Sequence, residues 1–419
     1  MDAVFDAQFR NMMYAFGERG IHVEIAYRPD GGVDYLYQAG RLLTIHDAEN
    51  DRLLREILPG IRRVERDRQP EPGELVVMSI DQLREGFRTV PQALALIDER
   101  LGGDNPALSP GGQPIASPDH FTHITRLCPA VEPEVPAGNP TQPWPPPYPP
   151  GPVQRDVLIH VCDTGYLAGI DPATYPWLAG VTGELDQLGP ILPNGQPLIP
   201  EYKGHGTFVA GVARSVAPQA TIYVTDHFTT SGAELESVIV AKLESLAASS
   251  PDIINLSAGT YTRQNWTSLG FETFNQRHPD ITLVAAAGND GTDRPFYPAA
   301  YDWTVSVGAI AIDLQHRAWF SNYGPWVDVY APGEGMVNAY ATGEYVYQEP
   351  PRQPATQQFS GMARWDGTSF STPFVAGLIA ARMARTGESS AVAAAAVIAA
   401  AQAQVITGIG PALLPGDQP

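Results

Sequence analysis

The chain has 419 residues, with 46 acidic against 26 basic side chains and a formal net charge of −20 at pH 7. That length exceeds one ordinary domain and leads to an expectation of two. The acidic balance argues against nucleic acid, whose phosphates would be repelled. Two cysteines, Cys128 and Cys162, give no disulfide framework; Cys162 reads as a small buried side chain in a strand, and a bridge between the two stays open. The first ten residues have no basic start, no unbroken apolar run and no small-residue cleavage site, and no segment reaches the run of about 18 apolar residues a membrane helix needs. Cytoplasmic residence, with export by another route as the alternative, and no membrane partner are therefore expected.

Taken in chain order, Val4, Phe5, Phe9, Met12, Met13 and Phe16 recur at helical spacing and predict an amphipathic helix packed on the leading domain. Residues 41–45 read as a strand, Asp47 as the cap of a helix carrying Leu53, Leu54, Ile57 and Leu58 on one face, and residues 61–64 as a return to extension after Pro59-Gly60. Residues 74–80 predict the next strand, 89–101 an amphipathic helix stopped by Gly102-Gly103, and 120–126 a last strand. The order is βαββαβ, the ferredoxin-like order. We expect residues 1–128 to form this smaller α+β domain.

Residues 129–152 are dominated by proline, culminating in Pro143-Trp144-Pro145-Pro146-Pro147-Tyr148-Pro149-Pro150. Such a run favours extended polyproline geometry and reads as a tether between domains, with a recognition site for a proline-reading module as the alternative.

From residue 153 to 419 the pattern changes to buried strands alternating with helices, which predicts an α/β domain with a doubly wound, mostly parallel sheet. Residues 157–162 are almost continuously apolar, as in a strand covered on both faces, and place Asp163 at its carboxyl end, where open α/β sheets carry their sites. His205 opens the small-residue helical stretch Phe208-Val209-Ala210-Gly211-Val212-Ala213; the positive end of a helix dipole there favours a neutral imidazole. Ser369 starts another helical run that contains Pro373, tolerated in a first turn. A serine that attacks an acyl carbon needs an imidazole to take its proton, and the imidazole needs a carboxylate on its other nitrogen.

The three segments around these residues, Asp163-Thr164-Gly165, Gly204-His205-Gly206-Thr207-Phe208-Val209-Ala210-Gly211 and Gly367-Thr368-Ser369-Phe370-Ser371-Thr372-Pro373, together with the chain order Asp, His, Ser, resemble the subtilisin-like serine proteases, or subtilases. The resemblance runs from about residue 156 to about residue 401. It implies a serine endopeptidase with Asp163, His205 and Ser369 as its triad, acting on a protein or peptide substrate through an acyl-enzyme, with no cofactor required.

Residues 281–289 read as one more buried strand, and the resemblance makes Asn289 the side-chain donor of the oxyanion hole. Residues 253–259 resemble the subtilase segment whose end, Ser257-Ala258-Gly259, walls the first specificity pocket and receives the substrate as an added strand. The stretch between Asn289 and Tyr297-Pro298 is shorter than in better-known subtilases, so Phe296 is expected to narrow or floor that pocket and favour small or medium side chains. The stretch from Asp163 to His205 is longer than in compact subtilases, and its loops are expected near the cleft; its acidic residues raise the possibility of calcium, without readable ligand spacing. Subtilase propeptides share the βαββαβ order, so the leading domain is expected to be propeptide-like, with Leu127-Cys128-Pro129 near the cleft, or else an independent accessory domain. A catalytically inactive binding protein of the same fold is the alternative to the enzyme. A serine esterase of the α/β-hydrolase class is disfavoured, because there the histidine comes last.

Overall fold

The structure, a computed structural model, describes residues 3–65, 68–82, 89–104, 112–124, 132–228 and 231–418. The side chain of Val4, the end of the last expected N-terminal strand and Leu127-Cys128-Pro129 lie outside the described residues.

The chain opens with α1 (Ala3–Glu18) and β1 (Val23–Tyr27), which pairs antiparallel with β2 (Val33–Ile45). Next in the chain are α2 (Ala48–Ile57), β3 (Arg62–Arg63), β4 (Leu75–Ser79), α3 (Val90–Leu101) and β5 (Ser117–His123). From β2 onward this is βαββαβ, with antiparallel sheet order β5-β2-β4-β3. Asp47 caps α2 by accepting from Glu49 N and Asn50 N, and Thr89 caps α3 by accepting from Gln92 N; both satisfy N–H groups that have no carbonyl one turn back. Leu54, Leu58, Val90, Leu94 and Ile97 of the two helices bury against Leu42, Val76 and Met78 of the sheet. Helix α1 stands outside that core: Phe5, Met12 and Phe16 pack with Leu36 and Phe121 and with Ala233 and Leu235 from the second domain, while Met13 is exposed.

In the second domain, β6 (Leu158–Asp163), β7 (Tyr166–Leu167), β8 (Val181–Gly183), β9 (Leu185–Asp186) and β10 (Leu198–Ile199) precede α4 (His205–Val216). Next come β11 (Thr221–Asp226), β12 (Ala233–Leu235), α5 (Glu236–Ala247), β13 (Ile253–Leu256), α6 (Leu269–Arg277) and β14 (Thr282–Ala286). Then β15 (Val305–Ile310), β16 (Val329–Pro332), the hairpin of β17 (Met336–Val346) and β18 (Thr356–Trp365), α7 (Thr368–Thr386) and α8 (Ser390–Ala403) complete the main elements.

Seven parallel strands lie in the order β16-β15-β14-β13-β6-β11-β8. Helices α4, α7 and α8 bury on one face against Ile159, Val161 and Val307, and α5 and α6 on the other against Ile254 and Leu256. The progression of strands reverses at β6, and the crevice outside the carboxyl ends at such a reversal is where a doubly wound sheet binds its ligand.

Two features tie the domains together. Strand β5 pairs antiparallel with β12, setting His123 opposite Ala233, Thr122 opposite Glu234 and Phe121 opposite Leu235, so the N-terminal sheet runs on into the second domain. The proline-rich stretch is pinned along its length: Glu134 pairs with Arg364 and Trp144 with Val337 through their backbones, and Tyr148 N donates to the Ser215 carbonyl.

Candidate active site

Asp163 ends β6, and its carbonyl accepts from His227 N and Phe228 N. The chain then turns at Gly165, where φ is +91° and a Cβ would stand 2.9 Å from the Glu184 carbonyl oxygen, so only glycine fits. His205 is the first residue of α4. Its Nδ1 lies 2.7 and 2.9 Å from the two Asp163 carboxylate oxygens, and Thr164 N donates to Asp163 Oδ1 at 2.9 Å. Trp365 stands edge-on to the imidazole and Phe370 packs at a tilt, each with its ring centre 5.2 Å away. The imidazole is buried, and its Nε2 has no hydrogen-bond partner among the described residues.

Ser369 is the second residue of α7, immediately before the Phe370 that touches His205. Its Oγ donates to the Ser257 carbonyl at 3.3 Å and not to the imidazole. Ser257 Oγ donates back to the Ser369 carbonyl at 2.8 Å, which ties the strand end after β13 to the start of α7. The structure thus brings Asp163 and His205 into hydrogen-bonding contact, with Phe370 against the imidazole and the Oγ of the adjacent Ser369 bonded to the Ser257 carbonyl.

Asn289 follows β14 through Gly288, which has φ +97°. Its Oδ1 accepts from Thr368 N at 2.9 Å and from Thr368 Oγ1 at 2.8 Å. With the oxygen committed twice to Thr368, the residue before Ser369, the NH₂ group is the part of the amide left to donate elsewhere.

The Phe296 ring lies between the two backbone walls that bear Ser257-Ala258-Gly259 and Gly288-Asn289. A Cβ on Gly259 would come within 2.3 Å of that ring and one on Gly288 within 3.1 Å. Phe296 is itself buried, edge-on to Tyr261 with ring centres 5.2 Å apart.

The edge at Gly259 is already paired. His123 N donates to Gly259 O and Gly259 N to His123 O, each at 3.0 Å, and Ile124 N donates to Gly232 O at 2.9 Å. With β12 on its other side, the end of β5 is an extended strand bonded along both edges.

The Subtilase family model matches residues 154–409, the segment that carries all four of these residues. The chain belongs to the subtilase family. It is 32% identical over 204 residues to a thermophilic serine proteinase of Bacillus sp. (strain AK1), covering 45% of each chain. It is 33% identical over 187 residues to an extracellular serine proteinase of Thermus sp. (strain Rt41A), covering 43% of this chain and 41% of that one. With Subtilisin Savinase of Lederbergia lenta the identity is 31% over 195 residues, 44% of this chain and 65% of the other. The chain spans about half the length of the first of these relatives. Its fold is similar to that of fervidolysin from Fervidobacterium pennivorans, a keratinolytic enzyme related to subtilisin, with a TM-score of 0.57 and 17% identity over 91% of this chain and 62% of that one.

Within this subtilase the insertion between Asp163 and His205 holds residues that motif reading passes over. Asp186 meets Lys203, Gly204 and Thr164, and Glu184 accepts from Asp226 N, so these two of the stretch's four carboxylates are engaged by the protein itself. Among the described residues no cluster of three or more His, Cys, Asp or Glu could hold a metal ion. Cys162 is a buried free thiol, pushed up to about 12 by that burial; Cys128 lies outside the described residues.

Proposed function

We propose that this subtilase is a serine endopeptidase held in check by its own N-terminal domain. The observation that carries the reading is the β5 strand. It belongs to a domain with its own core, and it hydrogen-bonds β12 on one edge and Gly259 on the other, where an extended substrate would add itself.

In the reaction, a change of χ1 takes Ser369 Oγ from the Ser257 carbonyl to His205 Nε2. As Oγ bonds to the peptide carbon, Nε2 takes its proton, and Asp163 holds Nδ1 and stabilises the imidazolium. The carbonyl oxygen, now negative, is held by the Asn289 amide and the Ser369 N–H. The C–N bond then breaks with His205 returning the proton to the departing amine, and water releases the acyl group by the same steps in reverse order. Hydrogen bonds that are loose before substrate arrives commonly tighten in the complex, so the resting rotamer of Ser369 is compatible with this chemistry. Phe296 makes the first pocket shallow, which favours small or medium side chains at the cleaved residue.

The test is intact mass and fluorophosphonate labelling of purified wild type and Ser369→Ala. Cleavage between residues 124 and 132 in the wild type alone, with label on Ser369, is the expected result. A wild type that neither cuts itself nor labels would instead be an inactive binding protein of the same fold.

A further inference from the structure

One buried ion pair outside the triad is bonded to the backbone on both sides of it. Asp186, fully buried at the end of β9, uses Oδ2 to accept from Gly204 N at 2.8 Å and from Thr164 Oγ1 at 3.2 Å, while Oδ1 meets Lys203 Nζ at 2.8 Å. Thr164 Oγ1 accepts in turn from Gly206 N at 3.1 Å, and Thr164 N donates to Asp163 Oδ1 at 2.9 Å. The residues before and after His205, and the one after Asp163, therefore converge on a single carboxylate.

The flanking residues have no side chains to fix them otherwise. Gly204 has φ +86°, and a Cβ there would lie 2.7 Å from the Tyr340 ring; a Cβ on Gly206 would lie 2.6 Å from the Gly165 carbonyl oxygen. Both must be glycine, so their backbones are set by hydrogen bonds. A carboxylate without solvent is expensive to keep ionised unless paired and hydrogen-bonded. Lys203, one position before Gly204, supplies the pair.

We infer that Asp186, neutralised by Lys203, is a positioning residue that sets the alignment of His205 on Asp163. This rests on the peptidase reading above only for its effect on rate. Removing the carboxylate alone would loosen both glycines and strand the Lys203 cation near the imidazole. A nearby cation disfavours the imidazolium, so the acid limb of activity should move to lower pH. The other ionisable groups around the pair are Asp226 on β11, Glu184, Lys242 of α5 and Tyr340; Asp163 faces the imidazole itself.

The experiment compares wild type, Asp186→Asn, Asp186→Asn/Lys203→Met and Asp186→Ala/Lys203→Met as full chains. Asp186→Asn should label with fluorophosphonate about 10- to 100-fold more slowly, with the probe's half-saturating concentration changed less than about threefold, and with its acid midpoint lowered. Asp186→Asn/Lys203→Met keeps an acceptor for Gly204 and strands no cation; it should regain at least about tenfold in rate and the wild-type midpoint, whereas the alanine version stays slow. The downfield His205 Nδ1–H proton resonance reads the alignment without turnover and should shift in Asp186→Ala/Lys203→Met. If that resonance is unchanged, or Asp186→Asn labels at the wild-type rate and midpoint, the positioning role is overturned. If the wild type does not label but the resonance moves, the peptidase reading falls and the positioning role stands.

Discussion

The cost of a side chain at position 296 depends on what it displaces. Its ring lies against Gly259 and Gly288, where we propose the first specificity pocket, and it also packs near β5, with the His123 ring centre 5.9 Å away. Truncating it to alanine should therefore enlarge what the pocket accepts. We expect Phe296→Ala to raise kcat/KM for peptides with Phe, Tyr or Leu at the cleaved position, relative to Ala, by about 10- to 100-fold, the value of burying one such side chain. The same truncation should lower Tm, because a buried phenylalanine is lost. Profiling both proteins on a peptide library reads the change, and an unaltered preference would place Phe296 outside the pocket. At this scale the sequence is most legible where chemistry and local backbone coincide. Asp163, His205, Ser369 and Asn289 each sit at an element end marked by glycine or by an apolar run, and each is found at such an end. Asp186 was illegible for the opposite reason: an acidic residue in a loop-rich insertion reads as solvated, and nothing local announces that Lys203, Gly204 and Thr164 converge on it.

Among the elements, α1 and β1 are added ahead of the βαββαβ core, and the contacts of α1 reach both domains. Phe16 packs edge-on against Phe121 of β5 with ring centres 4.8 Å apart, Arg19 pairs with Glu234 of β12 at 2.9 Å, and Asn11 and Gln8 reach Glu201 and Glu349. The helix thus covers the strand that lies along Gly259. A chain starting after residue 20 should still fold on the core of β2 to β5 and still cut itself, but release the severed domain at least about tenfold faster, since Phe5, Met12 and Phe16 no longer hold Phe121 and Leu235. The lag before peptide hydrolysis begins after processing measures this, and an equal lag would reduce α1 to packing within its own domain. Its helical spacing made α1 readable; its partners were not, because Ala233 and Leu235 lie far along the chain. The β17–β18 hairpin is not legible because neither strand alternates cleanly: Ala339-Tyr340-Ala341 is an unbroken apolar run in β17, and Thr356-Gln357-Gln358 a polar one in β18. The proline-rich stretch reads as a tether by composition, yet the backbone pairs of Glu134 and Trp144 depend on edge positions that only the folded hairpin supplies.

For the molecule as a whole, the seam between domains buries carboxylates, and this couples docking to pH. Asp119 of β5 is buried at the start of α5; that burial pushes its carboxyl up to about 7, against two hydrogen bonds from Ser237, at 3.1 Å from N and 2.6 Å from Oγ. Its charged neighbours are Glu234 and Glu236, with His120 bonded to the latter. Glu201, beneath α1, is raised to about 7 by burial and by the nearby Glu132, with Asn11 opposing. If the N-terminal domain is severed and leaves, as proposed above, both groups return to water, where carboxyls titrate near pH 4. A group whose docked value is raised binds its proton more tightly in the docked state, so docking is strongest below about pH 4 and weakens as pH rises through about 7. The association constant should fall by up to about tenfold per pH unit for each carboxylate across that window. Release of the cleaved domain, followed by gel filtration and by onset of activity, should accordingly be faster at pH 8 than at pH 5, and Asp119→Asn should flatten the dependence. Faster release at pH 5 would mean that groups other than these carboxylates govern the seam, and His120 with Glu236 would be the first pair to substitute.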